Sequence, residues 1–213
     1  MKSKLEGEQM KDLLRANTLV LEMVEKDHPK RKEVEAYIGE RYALAFDAKL
    51  NSFMPTFLAL LDHDHIQSLC GFRIASNEGL FLEQYLDEPA EAILSNVFSQ
   101  DIGRESLIEF GQLASFSRGM SPVHFLLMTE KLVASGFEWC IFTATDPLYA
   151  MMCRLGLTPT ILAEADPNRI ADATQIWGNY YQHQPRIVAG NLKQGLAHLQ
   201  SLFVNHSRTV IGE

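Results

Sequence analysis

A glutamate in the middle of an apolar run is the first residue in this chain whose type and place suggest chemistry. Glu109 sits at the centre of SLIEFGQLASF (106–116), which is apolar on both faces, as a strand inside a sheet is. Desolvation there raises a carboxylate's pKa towards neutrality and suits it to act as a base near pH 7. The opposing reading is a structural ion pair with Arg73 or Arg104, in which a cation pulls the pKa down. Arg73 is the second charge set in an apolar run, CGFRIA (70–75), and by alternation it shares a face with Gly71 and Ala75. A guanidinium holds a carboxylate through two parallel bonds, so Arg73 reads either as a grip on a ligand's carboxylate or as the partner of Glu109. A third feature follows the strand directly. In Ser117-Arg118-Gly119-Met120-Ser121-Pro122, Ser121 is placed to cap a helix and Pro122 to open it. An Arg-Gly turn leading into a helix N-terminus can offer N–H groups to an anionic ligand.

These residues need a framework, and the hydropathy pattern supplies one. A first strand is expected over 18–25 and a helix from Pro29 to about Leu50, with Lys30-Arg31-Lys32 on a solvated face or docking an acidic partner. Two strands, 53–61 and 66–75, meet at Asp62-His63-Asp64-His65 as a hairpin. Turn chemistry accounts for those aspartates, and adjacent residues in an extended turn point apart, so no metal is assigned there. Residues 78–82 read as a loop or short strand, and Pro89 opens a helix over 90–98. The strand with Glu109 leads through the Arg-Gly loop to a helix ending near Ser135, then to a strand EWCIFTAT (138–145). Asp146-Pro147 starts a helix closed by Gly156. A strand over 158–163, a helix from Asp166-Pro167 towards Trp177, a turn at 178–181, a strand over 185–189 and a terminal helix over 192–203 complete the order.

Composition narrows the function classes. The 213 residues, 46% hydrophobic and 22% charged, suit one core, which we assign to 18–213 behind a polar arm at 1–17. With 19 basic against 27 acidic residues and a formal charge of −8, nucleic acid is not the expected partner. The N-terminal stretch has no apolar signal core, and no run is long enough to span a membrane, so a cytoplasmic protein is expected. Cys70, Cys140 and Cys153 are odd in number and lack C-x-x-C spacing, which reads as buried free thiols.

The order strand, helix, hairpin, buried strand, Arg-Gly loop, helix, strand, helix, strand resembles the GCN5-related N-acetyltransferase superfamily. The segments CGFRIASNEGLFLEQYLDEPAE, IEFGQLAS, WCIFTAT, RLGLTP, LAEADP and WGNYYQHQP resemble the thermostable haemolysin family over about residues 35–195. Relatives by fold are acyl-homoserine-lactone synthases and long-chain N-acyl amino acid synthases. The resemblance implies an α/β (α+β) fold, a central mixed sheet flanked by helices, and an acyltransferase moving a fatty acyl group from a thioester to the amine of a small acceptor, such as an amino acid or amine. The co-substrate would be acyl-CoA or an acyl carrier protein thioester, without a metal. Glu109 and Arg73 become the catalytic pair. Gly111, Gln112, Leu113 and Ala114, with Arg118, Gly119 and Ser121, become the thioester-binding set. Phe110, Phe116, Phe142, Thr143, Met152, Trp177, Tyr180 and Tyr181 become the acyl or acceptor pocket. The loop departs from the superfamily's Gly-rich pattern, because Pro122 removes one N–H from the cradle, which keeps acyl carrier protein beside coenzyme A as donor. Where many relatives carry a tyrosine acid for the departing thiolate, this chain has Met152, with Tyr149 one turn earlier. Two rival readings stand beside the enzyme: a membrane-lytic haemolysin, and an inactive acyl-ligand binder. Under the enzyme reading, membranes are met only through a lipidic product. A homodimer is left open.

Overall fold

A computed structural model describes residues 18–115 and 120–208. A seven-stranded sheet runs through it, formed by β1 (Leu19–Val24), β2 (Thr56–Asp62), β3 (His65–Ile74), β4 (Leu107–Ser115), β5 (Trp139–Ala144), β6 (Thr160–Glu164) and β7 (Arg186–Asn191), in the order β1-β2-β3-β4-β5-β7-β6. Every neighbouring pair is antiparallel except β4 and β5. That pair is parallel because a helix, not a turn, connects it. The helices are α1 (Arg31–Phe46), α2 (Ala90–Phe98), α3 (Met120–Ala134), α4 (Asp146–Arg154), α5 (Ala173–Trp177) and α6 (Leu192–Arg208).

Alternation along the strands sorts the core into two layers. On one face, Leu107, Ile141, Ile187 and Ala189 pack under α2, and Phe57, Ala59 and Leu69 under α1. On the other, Ile108, Phe110, Cys140, Phe142 and Val188 pack against Phe125 and Leu132 of α3 and Leu199 of α6. Burial on both faces explains why β4 and β5 read as continuous apolar runs.

Several expectations are corrected here. The terminal arm at 1–17 and the residues Phe116, Arg118 and Gly119 lie outside the described residues. Ser121 does not cap α3, because that helix already includes Met120. Likewise Thr145, not Asp146, is the N-cap of α4. Of the two alternatives for 78–82, the loop holds over 78–80, and the chain then makes a 3₁₀ turn, Phe81–Tyr85, in place of a strand. The single helix expected from Asp166 is a 3₁₀ turn, Pro167–Arg169, followed by the short α5. The basic run at the start of α1 is not one solvated face. Arg31 is buried, donating to the carbonyls of Met54 and Pro55 and to Glu35, while Lys30 pairs with Glu22 and Asp64. Cys70 and Cys140 are buried thiols as expected, whereas Cys153 is exposed on α4.

Candidate active site

The β3–β4 register sets Arg73 directly opposite Glu109. Two positions further along, Gly71 faces Gly111. A side chain at either glycine would collide with Met54: an added Cβ would lie 2.5 Å from Met54 Cβ at Gly71 and 2.9 Å from Met54 Cε at Gly111. The two glycines therefore let the segment around Met54 lie flat on the sheet beside the carboxylate. Gln112 holds it there. Its backbone is left-handed (φ 51°) at a bulge in β4, and its side chain accepts from Met54 N at 2.9 Å and donates to Ser52 O at 2.9 Å.

Glu109 is 2% exposed. Its Oε1 lies 3.7 Å from Arg73 Nε, and its Oε2 accepts from Leu82 N at 3.1 Å. Burial pushes its carboxyl up to about 7, more than Arg73 and the Leu82 and Phe81 N–H groups pull it down. The two opposing expectations for this residue thus both apply, and desolvation prevails. Arg104 does not take part. It ties Glu83 and Glu91 together at 2.6 Å each, and Glu83 accepts from Leu80 N and Ala90 N, so this network fixes the 3₁₀ turn that presents Leu82 N. Arg73 Nη1 donates to Glu78 Oε2 (3.3 Å) and Gly79 O (3.4 Å), and Nη2 to Met54 Sδ (3.4 Å), while its buried Nε, facing Glu109, makes no hydrogen bond among the described residues.

Pairing between β4 and β5 ends at Phe110–Phe142, although β4 continues to Ser115 along β3 and β5 to Ala144 along β7. The strands part there, and a cavity of about 430 Å³ opens through the gap. Glu109, Gly111, Gln112 and Leu113 line it, with Phe110, Phe142, Thr143 and Met152; Ala114 does not, being buried against α1 with its carbonyl bonded to Ser68 Oγ. Phe125, Met128 and Leu199 extend the apolar wall towards α3 and α6. Near Glu109 the wall is aromatic. Trp177 and Tyr180 stand 5.6 Å apart, Phe81 lies 5.9 Å from Trp177, and Phe46 lies 5.0 Å from Tyr180. Tyr181 lies outside that lining and bonds Tyr85 hydroxyl to hydroxyl at 2.6 Å. Tyr180 bonds Thr143, and burial raises the phenols of Tyr85, Tyr180 and Tyr181, which stay neutral. Ser121, in the first turn of α3, does not line the cavity either.

Met152 lines the cavity where a proton donor was sought; Tyr149 instead packs under Arg186, 5.3 Å from guanidinium carbon to ring centre. Sequence reading missed Tyr42, Phe46 and Phe81 as cavity walls. Their only signal was helical or loop apolarity, which core residues share. No group of three or more His, Cys, Asp or Glu placed to hold a metal occurs among the described residues.

The model of the family described as thermostable hemolysin matches residues 24–196. No curated protein sequence matches this chain. Among solved structures, the chain is similar to FeeM, an N-acyl amino acid synthase from uncultured soil microbes, at 12% identity over 84% of this chain and 93% of that one, with a TM-score of 0.57. The coenzyme-A-dependent acyl-homoserine lactone synthase BjaI, solved with SAM and isopentyl-CoA, is 10% identical over 87% of this chain and 89% of its own, with a TM-score of 0.54. The acyl-homoserine lactone synthase LasI is 10% identical over 82% and 90%, with a TM-score of 0.54. At these identities the likeness is one of fold.

Proposed function

Because the chain belongs to the thermostable hemolysin family and has the fold of acyl-transferring synthases, we propose that it is an N-acyltransferase, moving a fatty acyl group from a thioester to the amine of a small acceptor. One observation carries this reading: a buried carboxyl held near neutrality faces the point where β4 and β5 part into a largely apolar cavity. The thioester carbonyl would lie in the gap, with β4 backbone N–H groups near Gly111 to Leu113 stabilising the tetrahedral oxyanion. The amine attacks from the Glu109 side, the C–N bond forms, and Glu109 accepts the amine proton. The C–S bond then breaks. With Met152 at the expected position of an acid, the leaving thiolate takes its proton from solvent. The acyl chain runs between Phe110, Phe142, Phe125, Met128 and Leu199, where each buried methylene contributes about 0.8 kcal/mol. The donor is acyl-CoA or an acyl carrier protein thioester, with Arg118 and Gly119 placed by sequence to meet its phosphate groups, and we assign the reaction to the cytoplasm, where such thioesters are made.

The test combines purified protein with acyl-CoA thioesters of several lengths and a pool of amines, following free thiol and N-acyl product by mass spectrometry. Thiol and product should appear in equal amounts and fall roughly 10²-fold or more in Glu109→Gln. Thioester binding without product from any donor or amine would favour an inactive acyl-ligand binder, the reading that Met152 supports.

A further inference from the structure

The acceptor side of the cavity differs from what an amino-acid substrate needs. An α-carboxylate taken out of water requires a cation or a set of N–H donors. Among the described residues lining the cavity, Arg73 is the one lysine or arginine, and its guanidinium is shared between Glu109, Glu78, Gly79 O and Met54 Sδ. His198 stands at the opposite end, bonded to Leu155 O. That one cation, Arg73, is shared by Glu109, buried in the cavity wall, and Glu78, which is 42% exposed and outside the lining. On the Glu109 side the wall is aromatic, made by Phe46, Phe81, Trp177 and Tyr180 with their rings tilted or edge-on to one another, and Tyr42 closes on Trp177 at 6.2 Å. Phe81 is also the residue next to Leu82, whose N–H holds Glu109. The aromatic slot and the base therefore lie side by side.

Resting on the acyltransferase reading, we propose that the acceptor is an arylalkylamine without a carboxylate, its ring against the Trp177–Tyr180–Phe81 wall and its amino group at Glu109. Aromatic faces attract both a ring and an ammonium, and a zwitterion's carboxylate would meet only one lining cation, already paired with Glu109 and Glu78. A substrate carboxylate would compete with Glu78 and Met54 Sδ for the Arg73 Nη groups.

Tyramine and tyrosine differ by that carboxylate alone and form the matched pair for the experiment. Calorimetric titration of the full chain with each, in the absence of thioester, reads acceptor preference independently of turnover. Tyramine should bind at least tenfold more tightly. Trp177→Ala should weaken tyramine several-fold, and Glu78→Gln, which releases Arg73, should narrow the gap by improving tyrosine. Equal or tighter binding of tyrosine, or no binding of either, overturns the proposal. Mass spectrometry with acyl-CoA present separates the two layers. Tyramine binding without acylated product would defeat the acyltransferase while leaving the acceptor class standing, and acylated tyrosine in preference to acylated tyramine would do the reverse.

Discussion

Glu109→Gln should separate a catalytic base from a structural ion pair through stability as well as rate. The native carboxyl has a pKa of about 7 against an ordinary value of 4.5. A group with a raised native pKa stabilises the fold while protonated, and that contribution is lost as pH rises from the unfolded value through the native one. At 1.36 kcal/mol per unit, the shift costs the wild type about 1 kcal/mol at pH 5 and about 3 kcal/mol at pH 8 relative to an always-neutral side chain. Glutamine is such a side chain and nearly isosteric, with a carbonyl oxygen to accept from Leu82 N. The variant should therefore gain roughly 2–3 kcal/mol on wild type between pH 5 and pH 8, seen in urea unfolding or as a rise in relative Tm of roughly 5–10 °C for a chain of this size. Over the same interval wild-type activity should rise with an apparent pKa near 7, and the variant should stay roughly 10²-fold down. If the variant instead loses stability most at alkaline pH, Glu109 is an ionised partner of Arg73, and the argument from desolvation fails.

Three further outcomes are expected. Arg73→Met removes the main cation pulling Glu109 down, so the midpoint of the pH–rate profile should move up by about one unit, with KM for the thioester changed less than kcat; an unmoved midpoint would mean that the pair is not coupled. Gly178→Ala should destabilise the fold by roughly 2 kcal/mol or more in urea titration, because at φ 56° its Cβ would sit 2.1 Å from Phe46 O, and relief would shift the loop bearing Trp177 and Tyr180. Purified protein added to dye-filled liposomes without thioester or amine should cause no leakage, because under the proposed reaction the membrane-active agent is the long-chain acylated product, whereas a lipid extract of expressing cells should lyse them. Leakage by the pure protein that persists in Glu109→Gln would promote the lytic reading.

Local signals were enough for much of this molecule. The periodicity of α1 and α6, the Pro89 start of α2, the Asp-rich hairpin turn with left-handed His63 and Asp64, and the two-sided apolarity of β4 and β5 all depend on neighbours in the chain, so a reader of residues can place them. A carboxylate in an apolar strand is a conflict within one segment, and it exposed Glu109 before any contact was known. The failures share a different cause. At the β4 bulge the left-handed residue is Gln112 and not its neighbour Gly111, and it is held by bonds to residues 52 and 54. To Trp177 and Tyr180, which the resemblance assigns to the pocket, the aromatic wall adds Tyr42 and Phe46 from α1 and Phe81 from a 3₁₀ turn, rings that read separately as ordinary core. Arg104 and Arg73 looked equivalent as partners of Glu109 until strand register set one opposite it and the Glu83–Glu91 network took the other. Register, strand parting and shared cations are properties of segments dozens of residues apart, and only their packing together decides them.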